Sequence, residues 1–279
     1  MKKLNFGPAG IPNSCERRSS ENGIKKVKEL GLDSMEVQFV HGVRMKNDTA
    51  QTLRKVAEKN DIKLTAHGSY YINLNSDEQD KKEASIERVL NVARIGDILN
   101  AESVTFHPAY YGDDSKEDTF KVVKKAIKQI LNTLEEEGKK IRVSPETTGK
   151  GSQFGSIDEL IRLAKGIGDW NKLGICIDFS HLHARTGGEM NTEKEFRSVF
   201  EKVESKIGSH ALKDMHFHVS GIEYTDKGEQ NHLILERSDM NWKALLKVMK
   251  EFDVKGVLTC ESPNLEVDAG KMREYYMEL

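Results

Sequence analysis

The sequence alternates between short β-rich segments and longer charged stretches, and this alternation runs along the whole chain. Eight β-rich segments cover residues 4–10, 34–40, 63–70, 103–110, 141–148, 173–181, 215–222 and 256–263. The stretches between them carry apolar residues at positions i, i+3, i+4 and i+7, which is typical of helices with one buried face. Eight strand and helix repeats predict a parallel sheet that closes on itself, because each helix covers the connection between neighbouring strands.

Length and composition agree with one such barrel. The chain has 279 residues, and a (β/α)8 TIM barrel takes about 250, so we expect a single domain over residues 1–279. With 43 basic and 45 acidic residues the net charge is −2. Any binding of nucleic acid must therefore depend on a local basic surface or on bound cations.

The cysteines and the hydropathy of the chain indicate the cellular compartment in which the protein resides. The three cysteines, Cys15, Cys176 and Cys260, have no short spacing, and we interpret them as reduced core thiols. No apolar run is long enough for a membrane span or a signal peptide. These features predict a soluble, cytoplasmic protein without membrane contact, which we expect to be a monomer.

Metal-ligand candidates stand at or just beyond the ends of five predicted strands. They are His67, His107, Glu146, Asp178 and Glu261. In a parallel barrel the carboxyl ends of all strands meet at one face. Carboxylates buried there are costly unless cations or hydrogen bonds compensate them. The pattern therefore predicts a site for more than one metal ion.

Further histidines extend this pattern. His181 follows Asp178 by three residues, a spacing that suits either a second metal or the cap of a helix. His216 and His218 lie two apart on one strand and so face the same side, one layer apart. We expect one of them to be a metal ligand or the neighbour of one. Imidazole and carboxylate together suit zinc, manganese or iron, and the lack of a cysteine ligand favours a catalytic site over a structural one.

Several of these motifs resemble those of a known family. The segments HGSYYIN, FHP, PETTGKGSQFG, DFSH, MHFHVSG and CESP look like the metal motifs of the endonuclease IV family, archaeal type, within the xylose-isomerase-like TIM barrels. The resemblance spans nearly the whole chain. It implies a zinc-dependent enzyme with two or three zinc ions, manganese and iron being alternatives, and no organic cofactor. Its substrate would be double-stranded DNA with an abasic site, hydrolysed at the phosphodiester on the 5′ side.

The resemblance also implies residue roles. The implied ligands are His67, His107 and Glu146 for a first zinc, Glu146, Asp178, His216 and Glu261 for a second, and His181 and His232 for a third. Glu146 and Glu261 would be catalytic, with Glu261 as proton acceptor. Tyr70 and Asn73 match a His-x-x-Tyr-x-x-Asn stretch whose tyrosine contacts damaged DNA. Arg44 would take the place of a residue that enters the duplex.

Two positions depart from the family pattern. Where the family has Asp-x-His, this chain has Gln230 two residues before His232, with Glu229 one position earlier. The third ion should then be the most weakly held unless Glu229 supplies the missing carboxylate. In addition, His218 and Val219 replace two polar residues after the seventh predicted strand.

A sugar isomerase or epimerase of the same superfamily is the main alternative. Such an enzyme would need one divalent ion on Glu146, Asp178, His216 and Glu261. It has no use for the remaining histidines, and it usually carries an arginine soon after the seventh strand, whereas none lies between His216 and Glu236. A non-enzymatic barrel that binds nucleic acid or a nucleotide, with a vestigial metal site, is a further alternative.

Two long non-periodic stretches, residues 183–192 and 220–238, are expected to be loops that cover the site. Basic residues after the predicted strands could contact phosphates, and aromatic residues there could stack in an opened duplex. The basic ones are Arg44, Lys46, Lys150, Arg185 and Lys227, and the aromatic ones are Tyr110, Tyr111, Phe154 and Tyr224.

Overall fold

The computed structural model describes residues 1–279 and contains all eight predicted strands together with four short additional ones. In chain order the strands are β1 Leu4–Pro8, β2 Ser34–Gln38, β3 Lys63–His67, β4 Val104–Phe106, β5 Ala109–Tyr110, β6 Val143–Pro145, β7 Gln153–Phe154, β8 Cys176–Asp178, β9 Met215–Val219, β10 Gly221–Thr225, β11 Gly228–Leu233 and β12 Gly256–Cys260. The additional strands form two antiparallel pairs, β5 with β7 and β10 with β11, above the ends of the main strands.

The eight main strands form a closed parallel barrel. Four of them pair in the order β1-β12-β9-β8 and the other four in the order β2-β3-β4-β6. A bridge between Glu146 and Cys176 joins β6 to β8. On the opposite side, the backbone N–H of Asp33 donates to the carbonyl of Phe6 at 2.8 Å and joins β1 to β2. The predicted (β/α)8 TIM barrel is therefore confirmed.

Nine α-helices follow the strands. They are α1 Ser20–Glu29, α2 Asn47–Asn60, α3 Gln79–Leu99, α4 Lys116–Glu136, α5 Ile157–Ile167, α6 Phe179–Arg185, α7 Glu193–Lys206, α8 Trp242–Glu251 and α9 Glu266–Glu278. Their apolar stripes pack on the barrel, as in α4, which buries Phe120, Val123 and Ile127. The predicted capping box of Ser156 and Glu159 is present at the start of α5. None of the helices is long and apolar enough to cross a bilayer.

The two expected loops contain regular structure. Helix α6 begins directly after β8, so His181, expected at the end of a β-rich segment, and His183, expected in a loop, both lie in a helix. The carboxylate of Asp178 starts this helix by accepting a hydrogen bond from the backbone N–H of His181 at 2.7 Å. Most of the second stretch is the β10–β11 hairpin. Both elements stand at the carboxyl ends of the barrel strands and bring their side chains over its mouth.

Candidate metal centre

A cavity of about 400 Å³ opens at the carboxyl ends of the strands. Its lining includes His67, Tyr70, His107, Tyr110, Lys150, His181, Glu229, His232 and Glu261. Six of these are histidines or glutamates, and three of the six, His67, His107 and Glu261, are candidates that the sequence placed at strand ends. The barrel has therefore brought residues from distant parts of the chain to one face, as the strand-end pattern predicts.

Glu146 lies at the centre of the polar groups beneath this cavity. Its side chain is fully buried, and its Oε2 atom is 3.2 Å from Nε2 of His67. Its Oε1 atom is 3.5 Å from Nε2 of His107 and 3.2 Å from Nδ1 of His218. Burial alone would raise the pKa of this carboxyl, but the charge of His218 and the hydrogen bonds of the neighbouring imidazoles hold the pKa well below its usual range. Glu146 is therefore an anion shared between several imidazoles.

Five sets of ligand-type side chains have candidate atoms that all lie within 4.8 Å of one another. Two of these sets are Cys176, His216 and His218, and His67, His218 and Glu261. The other three form adjacent groups. These groups are His67, His107 and Glu146; Glu146, Asp178, His218 and Glu261; and His181, Glu229 and His232. Glu146 belongs to two of them. Each group contains at least one carboxylate and one imidazole, which is a donor set suited to zinc, manganese or iron.

Two buried atoms of these groups lack a hydrogen-bond partner. They are Oδ2 of Asp178 and Nε2 of His181, and both side chains are almost completely buried. A buried polar atom without a partner costs free energy, and a bound cation would remove that cost. The residues present therefore fit divalent cations by position and by chemistry.

On the seventh barrel strand, His218 lies among the carboxylates, and the expected ligand His216 does not. Strand register decides this, because β9 pairs with β8 so that His218 lies beside Asp178 while His216 lies beside Cys176. The imidazole of His218 is consequently level with the carboxylates of Glu146 and Glu261, and its Nδ1 atom is 3.5 Å from Oε2 of Glu261. His216 lies one layer deeper in the barrel.

His216 instead belongs to a buried network below the metal-ligand groups. Its Nδ1 atom is 3.0 Å from the hydroxyl of Ser103, and its Nε2 atom is 3.1 Å from Oε2 of Glu36. Burial lowers the pKa of His216 despite that carboxylate. Glu36 also contacts His218. Sequence analysis missed Glu36, although an acidic residue inside an otherwise β-rich segment is a recognisable signal.

The third group contains Glu229, which lies one position before Gln230, where the resemblance implied an aspartate. On a regular strand, Glu229 and His232 would face opposite sides, because side chains alternate. The β10–β11 hairpin changes its register here, with Asn231 opposite Glu223 and Glu229 opposite Tyr224, so that Gln230 is an extra residue. Such a bulge re-aims the side chains next to it. Oε2 of Glu229 is 3.5 Å from Nε2 of His181, and Gln230 is exposed.

Backbone carbonyls hold three of the histidines by their Nδ1 atoms. His67 contacts the carbonyl of Gly68 at 2.8 Å, and His181 contacts that of Thr147 at 2.9 Å. His232 contacts the carbonyl of Glu261 at 3.2 Å. Because a carbonyl only accepts, each Nδ1 carries the proton and each Nε2 is left to act as a ligand.

Without metal ions, neighbouring imidazole and carboxylate groups of the site stabilise each other's charged forms. Burial lowers the pKa of His67, but its hydrogen bond with Glu146 and the charge of that carboxylate raise the pKa to about 9. Burial raises the pKa of Glu261, but the positive charge of His218 outweighs it and brings the pKa to about 2. A protonated His67 therefore lies beside ionised Glu146, Glu261 is ionised as well, and a bound cation would take the place of the proton.

The residues expected to contact DNA lie in different environments. Tyr70 is 61% exposed at the edge of the cavity. Asn73 is held locally, since its Oδ1 atom accepts hydrogen bonds from the backbone N–H groups of Asn75 and Tyr110. Arg44 is exposed but lines a separate cavity beside β2. Tyr70 is thus the one of the three expected residues that stands over the metal-ligand groups.

Among the other basic and aromatic candidates, Tyr110 and Lys150 line the same cavity. Tyr111 and Phe154 are buried and cannot stack on a base. Arg185 donates hydrogen bonds to the carbonyls of Lys150 and Gln153 and so fixes the loop after β6. Tyr224 donates to Asp239 at 2.6 Å. Arg185 and Tyr224 therefore stabilise the loops around the mouth of the barrel.

Known proteins resemble the chain in sequence and in fold. Residues 24–278 match the family described as xylose isomerase-like TIM barrel. An uncharacterized protein of Methanocaldococcus jannaschii is 43% identical over 278 residues, which cover 99% of this chain and 98% of that protein. A probable endonuclease 4 of Campylobacter fetus is 24% identical, with 82% of this chain and 83% of that protein covered. A crystal structure of a D-tagatose 3-epimerase-like protein superposes with a TM-score of 0.74 at 21% identity, over 99% of this chain and 97% of that one.

Proposed function

Because the chain belongs to the xylose isomerase-like TIM barrel family, whose members include several kinds of enzyme, we propose that it is a zinc-dependent endonuclease acting on abasic sites in double-stranded DNA. The reaction would be hydrolysis of the phosphodiester on the 5′ side of the abasic residue. The observation that carries the proposal is the set of three adjacent ligand groups that share Glu146 or lie beside it. Several cations close together suit phosphodiester hydrolysis, since the attacking oxygen, the leaving oxygen and the phosphate all carry negative charge.

The three groups would each hold one ion. His67, His107 and Glu146 would hold the first, Glu146, Asp178, His218 and Glu261 the second, and His181, Glu229 and His232 the third. When bound, divalent cations at such sites lower the pKa of water to about 7 and stabilise the charges of phosphoryl transfer. Zinc suits the mixture of imidazole and carboxylate ligands, with manganese and iron as alternatives.

Two carboxylates are the proposed catalytic residues. Glu146 is fully buried between the first two groups and holds them together by its two oxygen atoms. Glu261 is ionised, with a pKa of about 2, and it borders the cavity. Its carboxylate would orient the attacking water and accept a hydrogen bond from it. No nucleophilic serine, cysteine or threonine is required for this chemistry.

Aromatic and basic side chains around the cavity would bind the DNA. Tyr70 and Tyr110 are exposed at its edge, and aromatic rings stack on unpaired bases whatever their sequence. Lys150 lines the same cavity and would contact a phosphate. Arg44, in the loop after β2, would reach the duplex on one side of the cavity. Asn73 would act indirectly, because its carbonyl oxygen accepts from the backbone of Tyr110.

The alternative is a sugar isomerase or epimerase. The group of Glu146, Asp178, His218 and Glu261 could by itself hold one divalent ion, and two carboxylates can act as acid and base. This reading leaves the group of His181, Glu229 and His232 without a role. The shared fold of an epimerase-like structure at 21% identity does not decide between the two activities.

A duplex with one tetrahydrofuran residue tests the proposal, because this abasic analogue cannot undergo β-elimination. Zinc-loaded protein should cut it on the 5′ side and leave a 3′-hydroxyl that a DNA polymerase extends. Chelated protein and an undamaged duplex of the same sequence are the controls. Absence of incision, or cleavage of natural abasic sites alone, would refute the assignment. Epimerisation of a ketohexose by protein that fails to cut DNA would support the alternative.

A further inference from the structure

Glu36 is a buried carboxylate beneath the metal-ligand groups. It lies on β2 and is 1% exposed, and its Oε2 atom is 3.1 Å from Nε2 of His216 and 3.2 Å from Nε2 of His218. Gln38 donates to its Oε1 atom at 2.9 Å and Thr65 donates to its Oε2 atom at 3.0 Å. Burying a carboxylate costs several kcal/mol unless its oxygens are well paired, so both oxygens of Glu36 are engaged.

The contact between Glu36 and His218 differs from the contacts that hold the other histidines. His67, His181 and His232 are each held at Nδ1 by a neutral backbone carbonyl. His218 is held at the other nitrogen, Nε2, which is 3.2 Å from Oε2 of Glu36. Its Nδ1 atom is left facing Glu146 and Glu261. An anionic partner fixes the ring and also makes the opposite nitrogen a stronger ligand.

A chain of contacts connects this carboxylate across the barrel. The hydroxyl of Ser103 contacts His216, His216 contacts Glu36, and Glu36 contacts His218. These residues come from β4, β9 and β2 or the positions next to them, so the network crosses the barrel interior. His216 contacts Glu36 and packs on the ring of His218, with ring centroids 4.9 Å apart, but it makes no ion pair with the carboxylates of the ligand group.

We propose that Glu36 is a positioning residue that holds His218 through Nε2 and thereby sets the affinity of the Glu146, Asp178, His218 and Glu261 group for a divalent cation. The inference rests on the proposed function only in requiring that this group binds a cation. It holds equally for a nuclease and for an epimerase. A negative result with abasic DNA would therefore refute the nuclease assignment and leave this inference intact.

Zinc affinity of the Glu36→Gln protein is the test. Glutamine keeps the shape of the side chain and removes its charge, so zinc bound at this group should be held roughly 10- to 100-fold more weakly, as for other outer partners of metal ligands. The measurement is competition with a chromophoric chelator, and the melting temperature of the metal-free protein is recorded beside it. An unchanged melting temperature together with weaker zinc binding supports the positioning role of Glu36, because a structural defect would lower both the melting temperature and the zinc affinity.

Ser103→Ala is the matched control. It removes the hydrogen bond to His216 at 3.0 Å and leaves the contact of Glu36 with His218 in place, so zinc affinity should stay at the wild-type value. Glu36→Asp keeps the charge and should restore part of the affinity. Wild-type zinc affinity in a folded Glu36→Gln protein would overturn the proposal, as would an equal loss in Ser103→Ala. If Glu36→Gln does not fold, Glu36→Asp takes its place: its shorter side chain moves the carboxylate away from His218, so zinc should be held more weakly than in the wild type, and wild-type affinity in Glu36→Asp would overturn the proposal.

Discussion

The Nδ1 atom of His218 lies 3.2 Å from the Oε1 atom of Glu146. His216, two residues earlier on the same strand, contacts Ser103 and Glu36 instead. We therefore expect His218→Ala to lose one zinc ion per chain and most of its activity. His216→Ala should keep all its ions, although the cavity it leaves should reduce thermal stability. Zinc content after gel filtration measures the difference, and loss of an ion from His216→Ala with full retention in His218→Ala would contradict it.

Glu261→Gln should reduce turnover by at least about 10²-fold, the usual contribution of a positioned base, while the protein remains folded. The substitution removes a carboxylate from the cavity edge without changing its volume. His210→Ala is the control and should have wild-type rates, since His210 is exposed in the turn before β9, at the opposite end of the barrel. Single-turnover incision of the tetrahydrofuran duplex measures both, and near-normal rates in Glu261→Gln would remove this residue from the mechanism.

Glu229→Ala should empty the third ligand group and leave about two ions per chain, because Glu229 is its one carboxylate. Its neighbour provides a matched control. Gln230 is the extra residue of the bulge and is exposed, so Gln230→Ala should retain all ions. Metal analysis after mild chelation compares the two proteins. Three equally retained ions in Glu229→Ala would mean that neutral ligands suffice for this group.

Metal-free protein should become less stable as the pH rises through about 9. The pKa of His67 is raised to about 9 in the folded chain, above its ordinary value of about 6.5. Its contribution to the free energy of unfolding is therefore complete below about pH 6.5 and is lost as the pH rises through 9, by up to about 3 kcal/mol. Urea unfolding in chelator measures this loss.

Zinc-loaded protein is the control for this pH dependence, because His67 and Glu146 would hold a metal ion in place of the proton. Its stability should stay level over the same interval. Metal-free protein should also lose stability in acid, since the pKa values of Glu229 and Glu261 are lowered to about 2 in the folded chain. Their contributions are complete above about pH 4.5 and are lost as the pH falls through 2. A flat profile for metal-free protein between pH 6.5 and 9.5 would contradict the charge arrangement.

The sequence by itself determined the barrel and most of its site. Eight β-rich segments separated by amphipathic helices admit few other folds, because each strand needs a helix to cover it and to return the chain. The same strand predictions end at or next to the five ligand candidates, which are His67, His107, Glu146, Asp178 and Glu261. Once the strands are parallel, these residues converge at one face, and the structure brings all five together.

Only the tertiary structure decided which of two equivalent histidines faces the carboxylates. His216 and His218 point to the same side of β9, so periodicity cannot separate them. The pairing of β9 with β8, which sets His218 beside Asp178, is a relation between segments far apart in the chain.

The choice of Glu229 and the role of Glu36 also depended on tertiary contacts. A bulge between β10 and β11 turns Glu229 toward His181, and no local pattern in the sequence marks that bulge. Glu36 meets His218 across the barrel, 182 positions later in the chain. Local sequence fixes which face of a strand a side chain takes, whereas its height in the barrel and its partners follow from the register between strands.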